Sequence, residues 1–421
     1  MQYVAGVFLT ITLLTVCACT SSWFSVARIH TAIWTVIYWG YCICADGNDL
    51  KCYGTLWLIV SCFCILIGEK LGERGNIRKD CGRDCSLSSP LTTSENRGQF
   101  WMVVIVCLTL LSIVGNILEV YAYGFSLADL TSFDRILKMS NEIATMRYNG
   151  FETSSVITLL QTQKYTACLV SGYFFLSCKK FSKRIICCLP FLSVILNVII
   201  ENTKAGVIAS AILFCIGLII GYVCINLRYP KLTAKRACRF VLAAVVLIGL
   251  LVFAMVIRLG EINSKTLGVV AKKFVVYAFG NVQAFDLWLS NLYSYDGFGL
   301  GINTFMAPFN LLGIVTRRQG VYDYIDGAAS NVFSGYRGVI EDFGLVGGLI
   351  FVMLIGYIGG RCIKRIATSP AAIMPKIGYS FTTFFIVYSY IISPYIYTSF
   401  CITIIEFAFL LYIEKHKCLN R

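Results

Sequence analysis

About eleven stretches of almost uninterrupted apolar residues divide this chain, and no other feature limits its fold so strongly. They centre on residues 3–19, 31–45, 53–68, 100–122, 163–178, 185–200, 206–226, 240–258, 344–360, 377–393 and 395–413. The runs are continuous rather than alternating, so they read as helices and not as barrel strands. Several fall short of the ~20 residues a helix needs to cross a bilayer, which leaves the count at ten to twelve. With 57% hydrophobic residues, 14% charged residues and a mean hydropathy of +0.75, the apolar surface exceeds what one or two soluble cores can hide. The expected fold is an all-α polytopic integral membrane protein, with residues 1–421 forming a single multi-span domain. No internal repeat, Pro- or Ser-rich linker or appended soluble domain interrupts it. The run Val4–Thr20 lacks a basic leader and reads as a retained span rather than a signal peptide.

Charge sorts the connections into two sets. Residues 69–99, 179–184, 228–239, 361–376 and 414–421, together with Arg28, hold 23 of the 36 Lys and Arg but only 6 acids. The remaining connections hold 13 basic and 15 acidic residues, and Glu406 falls inside the last run. The positive-inside tendency assigns the first set to the cytoplasm, which puts the C-terminus inside. The net charge of +14 is then a matter of topology and does not call for nucleic acid. In this scheme 69–99 is a cytoplasmic loop and 123–162 is an outer loop. Within it, Ser132–Met139 has the periodicity of an interfacial helix, which could cap the bundle or touch a substrate. Residues 259–343 are expected to form one large outer loop between the eighth and ninth spans. A loop of that length without a function is uncommon.

Most of the 20 cysteines lie inside apolar runs, where a thiol behaves as a small hydrophobe. The Cys-x-Cys pairs at 17/19, 42/44 and 62/64 and the loop pair Cys81/Cys85 lack the companion ligands of a zinc site, so no metal is expected. The only histidines, His30 and His416, fall on the cytoplasmic side. Chemistry on the outer face must therefore proceed without an imidazole base or ligand. The run Gly297, Gly299, Gly301 has no βαβ context and reads as a turn or a close backbone approach.

The outer side nevertheless carries conspicuous cations: Lys272, Lys273, Arg317, Arg318 and Arg337 in the large loop, and Lys204 in the short turn Glu201–Gly206. Each can meet anionic headgroups or acids of its own loop, or grip an anionic ligand. Arg337 stands four residues before Glu341, so a helical ion pair competes with ligand binding there. Glu341 and Asp342, at the start of a long apolar helix, are candidate proton acceptors. Asp286, Asp296, Asp323 and Asp326 compete for that role.

The pattern Asn331-Val332-Phe333-x-x-Tyr336-Arg337-x-x-x-Glu341-Asp342-Phe343-Gly344-x-x-Gly347 resembles the Asp-Phe-Gly region of the bacterial O-antigen polymerases, the Wzy-type oligosaccharide repeat-unit polymerases. Upstream, the segments around Phe279-Gly280, Ala284-Phe285-Asp286 and Thr304-Phe305 are similar to what precedes that region in the family. Thr203-Lys204-Ala205-Gly206 resembles its short basic turn, with Lys in place of the usual Arg. The detailed likeness covers residues 200–350. It implies a glycosyltransferase of the inner membrane that moves a growing glycan from undecaprenyl diphosphate to the hydroxyl of an incoming lipid-linked repeat unit, on the periplasmic face. Arg337 would be catalytic, with Glu341 or Asp342. Lys204, Lys272, Lys273, Arg317, Arg318, Asn331 and Tyr336 would bind the lipid-linked oligosaccharide. No metal, nucleotide sugar or other cofactor enters the scheme, and a chain-length regulator is the partner the family implies. O-antigen ligases share the architecture but typically carry a periplasmic His. A lipid-linked oligosaccharide transporter would show related halves or charges in mid-span.

Overall fold

The computed structural model describes residues 1–20, 22–44, 50–74, 95–151, 153–230, 233–259, 264–292, 298–316, 323–325, 328–330 and 334–419. Fifteen α-helices follow in order among them: α1 (Gln2–Cys19), α2 (Val26–Cys44), α3 (Tyr53–Arg74), α4 (Glu95–Ala122), α5 (Phe133–Tyr148), α6 (Ser155–Phe175), α7 (Phe181–Cys188), α8 (Pro190–Glu201), α9 (Lys204–Asn226), α10 (Ala234–Leu259), α11 (Ser264–Ser290), α12 (Met306–Leu311), α13 (Gly335–Thr368), α14 (Ile373–Tyr388) and α15 (Thr398–Leu419). A two-stranded antiparallel pair, β1 (Asp323–Ile325) and β2 (Ala328–Ser330), is the one departure from an all-helical chain among the described residues.

Each of the eleven apolar runs overlaps a helix among the described residues, and the run 185–200 is divided between α7 and α8. Among the described residues six stretches are long and apolar enough to cross a membrane: Gln2–Cys19, Tyr53–Arg74, Arg97–Ala122, Phe181–Glu201, Lys204–Asn226 and Gly335–Thr368. This is the make-up of a helical membrane protein. Among the described residues of the segment expected as one large outer loop lies the helix α11. Its 27 residues would span about 40 Å, but the exposed Lys272 and Lys273 lie near its middle and would be costly in lipid.

The chain divides into two compact units, residues 1–88, 226–231 and 273–401, and residues 89–225, 232–272 and 402–421. In the first, α3 and α13 run side by side on reciprocal glycines. A Cβ on Gly68 or Gly72 of α3 would strike the carbonyl oxygen of Met353 or Tyr357. One on Gly356 or Gly360 of α13 would strike that of Ile65 or Glu69. Small residues four apart on both partners let the backbones touch, which is how helices associate where no hydrophobic drive separates them from lipid.

Two buried charged side chains in this unit serve helix ends. Glu69, 1% exposed, accepts from the amides of Val26 and Ala27 at 3.1 and 2.9 Å and from Ser25 Oγ at 2.6 Å, so it closes the start of α2. Arg28 donates to the carbonyls of Cys17 and Thr20 at 2.6 and 2.5 Å and so closes the end of α1. Both placements suit the helix dipole and satisfy terminal groups that have no partner within their own helix.

In the second unit, α6 and α9 repeat the glycine device: Gly172 meets the carbonyl of Phe214, and Gly217 and Gly221 meet those of Leu169 and Tyr173. Glu414 accepts from Arg97 Nε at 2.5 Å and Trp101 Nε1 at 2.6 Å. Glu406, the acid inside the last apolar run, is partnered by Gln163 Nε2 at 2.7 Å and by Thr166 Oγ1. The segment around Ser132–Met139 is helical, as α5, with Ser132 as its N-cap. Met139 and Ile143 pack into a core with Val120, Tyr123 and Ile200, so α5 covers its neighbours with an apolar face.

Candidate functional site

The motif around Arg337 lies at the start of α13, and that helix is broken. Gly344 has φ 74° and ψ 176°, a conformation open in practice only to glycine. Residues eight or nine apart in a straight helix are about 12–13 Å apart along its axis. Here a Cβ on Gly348 would lie 3.4 Å from Val339 Cγ1 and 3.5 Å from Ile340 Cγ1, and the rings of Phe343 and Phe351 are 5.5 Å apart. The chain therefore turns back sharply at Gly344, and residues 335–343 form a short helix folded against the long one.

This short helix is tied at both ends. At its start, Ser334 Oγ accepts from the Tyr336 amide at 3.2 Å, and the Gly335 amide donates to the carbonyl of Ser389 at 2.6 Å. A Cβ on Gly335 would collide with the backbone of Ile392 and Ser393. At its far end, the amides of Gly299 and Leu300 donate to the carbonyls of Glu341 and Asp342, both at 3.2 Å. The glycine-rich turn thus serves as a close backbone approach, with Leu300 at φ 51° and Gly301 at φ 101°.

Asp342 completes the fastening. It is fully buried. Its Oδ1 accepts from the Asn303 amide at 3.0 Å and Asn303 Nδ2 at 3.1 Å, and its Oδ2 accepts from the Thr304 amide at 2.6 Å. Both oxygens are engaged in holding the 303–304 turn. Asp286, also fully buried, is used similarly. It accepts from the amides of Cys52 and Gly54 at 3.0 and 2.8 Å and caps α3. Tyr336 lies in the core, ringed by His30, Trp34, Trp57 and Phe385 at centroid distances of 5.1–6.4 Å.

Arg337 and Glu341 occupy one face of the short helix. Arg337 Nε donates to Glu341 Oε1 at 2.8 Å, and the side chains are 23% and 32% exposed. The guanidinium carbon stands 5.4 Å from the ring centroid of Trp288, near the end of α11. A cation over an indole face keeps its charge while its fork is oriented. An i,i+4 pair that solvent reaches is worth only about 0.3–0.5 kcal/mol, so Glu341 by itself is held to Arg337 weakly. Trp288 was not among the sequence candidates. It stands 49 residues from Arg337, a separation at which no local spacing points to it.

The other candidates are dispersed. Lys204, in the second unit, is the first residue of α9 and follows Asn202, whose φ of 56° turns the chain between α8 and α9. Lys272 and Lys273 are exposed on α11. Arg317, Arg318 and Asn331 lie outside the described residues, as do Asp296 and Asp326. His30 is buried in the first unit, with its Nδ1 3.4 Å from Cys62 Sγ. Among the described residues no group of three or more His, Cys, Asp or Glu could hold a metal ion.

Comparison with family models, with curated proteins and with solved structures found no match for this chain.

Proposed function

We propose that the chain is a polysaccharide polymerase of the bacterial inner membrane, with a cytoplasmic C-terminus, that joins lipid-linked oligosaccharide repeat units on the periplasmic face. The observation that carries this reading is the Arg337–Glu341 pair on a short helix clamped at both ends, with its guanidinium over Trp288. A fixed guanidinium suits a leaving diphosphate, whose developing charge is where stabilisation counts most.

In this reaction the acceptor hydroxyl oxygen forms a bond to the anomeric carbon of the donor glycan. The bond from that carbon to the phosphate oxygen breaks, and its electron pair leaves with the undecaprenyl diphosphate. The hydroxyl proton passes to Glu341, freed from Arg337 when the guanidinium turns to the diphosphate. Asp342 is assigned a positioning role, since its oxygens are taken up by Asn303 and Thr304. Lys204, in the second unit, is proposed to contribute to substrate binding through its charge.

The test is the ladder of surface polysaccharide on a gel. Arg337→Ala should abolish chains longer than one repeat unit while the protein still inserts, and an unchanged ladder would refute the role of Arg337. Lys204→Arg should keep more activity than Lys204→Ala; equal losses would count against a charge-based role. A deletion strain that shows one repeat unit on the lipid core marks a polymerase. One that shows none marks a ligase or a transporter.

A further inference from the structure

In the second unit, the connection between α6 and α7 brings two cysteines together. Cys178 stands in the turn that follows α6, and Cys187 lies near the end of α7. Their sulfurs are 3.8 Å apart, which is van der Waals contact, and both side chains are buried. The turn is fastened around them. Arg184 Nε donates to the carbonyl of Cys178 at 3.0 Å, and its guanidinium carbon lies 5.8 Å from the Phe175 ring centroid. The Cys178 amide donates to the carbonyl of Phe175 at 3.2 Å, and its thiol reaches that of Phe174 at 3.7 Å. The backbone that carries the two thiols thus holds them against each other.

The two sulfurs are not equivalent. The Cys187 thiol can donate to Cys178, and the charges of Lys183 and Arg184 act on Cys178 as well. A donated hydrogen bond and nearby cations favour a thiolate, against the burial that opposes it. The groups that act on Cys187 are the thiols of Cys178 and Cys188. Cys178 is therefore the nucleophile of the pair, and Cys187 is placed to resolve what forms on it. The positive-inside tendency assigns the connection 179–184 to the cytoplasm. Thiols rest reduced there, and disulfides that form are transient ones that report on oxidants.

We propose that Cys178 and Cys187 form an oxidative modification site, a reduced pair that hydrogen peroxide closes to a disulfide. Peroxide is small and uncharged, and the turn that holds Cys178 is flanked by the exposed Lys179 and Lys180. The Cys178 thiolate attacks one peroxide oxygen, the O–O bond breaks, and hydroxide leaves and takes up a proton. Cys178 is then a sulfenic acid. The Cys187 sulfur attacks the Cys178 sulfur, the S–S bond forms and the S–O bond breaks. The departing hydroxide takes the Cys187 proton and leaves as water. Two thiols and one peroxide become a disulfide and two waters. Both sulfurs are oxidised, and the peroxide oxygens are reduced. The bond pins α7 to the end of α6, and a dithiol reductant reopens it. This site is argued independently of the reaction proposed at Arg337.

The test uses the full chain in detergent, reduced and then freed of reductant. Hydrogen peroxide is added in steps, remaining thiols are blocked with N-ethylmaleimide, and tryptic peptides are weighed without reduction. Cleavage at Lys179, Lys180, Lys183 and Arg184 separates the two cysteines, so only a disulfide can keep their peptides together. A joined species lacking two hydrogens should appear at lower peroxide than oxidises the exposed Cys188, and dithiothreitol should dissolve it. Cys188→Ala should leave the link in place. Cys187→Ser should stop at a sulfenic acid on Cys178 that dimedone traps. If that variant does not fold, the link in the parent chain and in Cys188→Ala decides the matter. The proposal is overturned if Cys178 and Cys187 are still blocked by N-ethylmaleimide when Cys188 is oxidised, or if the link disappears in Cys188→Ala. None of these outcomes bears on Arg337, whose test is the polysaccharide ladder.

Discussion

Three buried or nearly buried carboxylates in the first unit, Glu69, Asp286 and Asp342, accept from main-chain amides. Glu341 does not; its partner is a side chain, and it is 32% exposed. Adjacent acids in one motif thus have different work, and the difference can be measured. Asp342→Ala would leave three donors without an acceptor, each costing about 1–3 kcal/mol. The detergent-solubilised variant should melt well below the parent, by several kcal/mol of stability. Glu341→Gln should leave the melting temperature almost unchanged, because a half-buried i,i+4 pair that solvent reaches contributes little, and should remove polymerisation on the gel. A reversal of these two results would exchange the roles of the acids. The sequence placed the acids on one short stretch but could not separate them, because the donors to Asp342 lie about forty residues upstream. Nothing in the local spacing signals a main-chain partner at that distance.

Among the elements, α13 departs furthest from its sequence pattern. Its apolar run predicts one helix from about residue 344, and the structure adds a short helix before it, folded back at Gly344. Gly344→Ala would force a side chain into a conformation that only glycine adopts easily, at about 1–3 kcal/mol. It should abolish polymerisation while the α3–α13 pair stays intact, as read by a retained cooperative melt. Gly360→Leu acts on the other half. A leucine there meets the carbonyl of Glu69, so the pair must separate. That variant is expected to accumulate poorly and to lose its cooperative melt. The glycines were visible in the chain at four-residue spacing, 68/72, 217/221 and 356/360, but spacing alone does not say which helices they join. The missed helix α11 has a plainer cause: Lys272 and Lys273 break its hydropathy, so a hydrophobic window passes over a helix that its neighbouring apolar residues sustain.

At the level of the whole molecule, the apolar runs were enough to read a helical membrane protein, because a chain leaving water must satisfy its backbone internally and helices do that locally. The division into two compact units was not legible, since each is assembled from three separated stretches. Topology remains the most direct check on the proposal. Reporter fusions in the connections 179–184 and 361–376 should score as cytoplasmic, and a fusion at residue 313 should score as periplasmic. A cytoplasmic score at 313 would place Arg337 on the wrong side for a lipid-linked glycan.

The turn at Gly344 also sets an order of events during synthesis. At about 13 Å, residues 335–343 are too short to cross a bilayer unaided. Their resting place is built partly from Ser389, Ile392 and Ser393, which leave the ribosome some fifty residues later. The segment must wait, loosely held, until the chain beyond α14 has arrived. A nascent protein arrested before residue 389 would carry every residue of the Arg337 motif and still lack its docking surface.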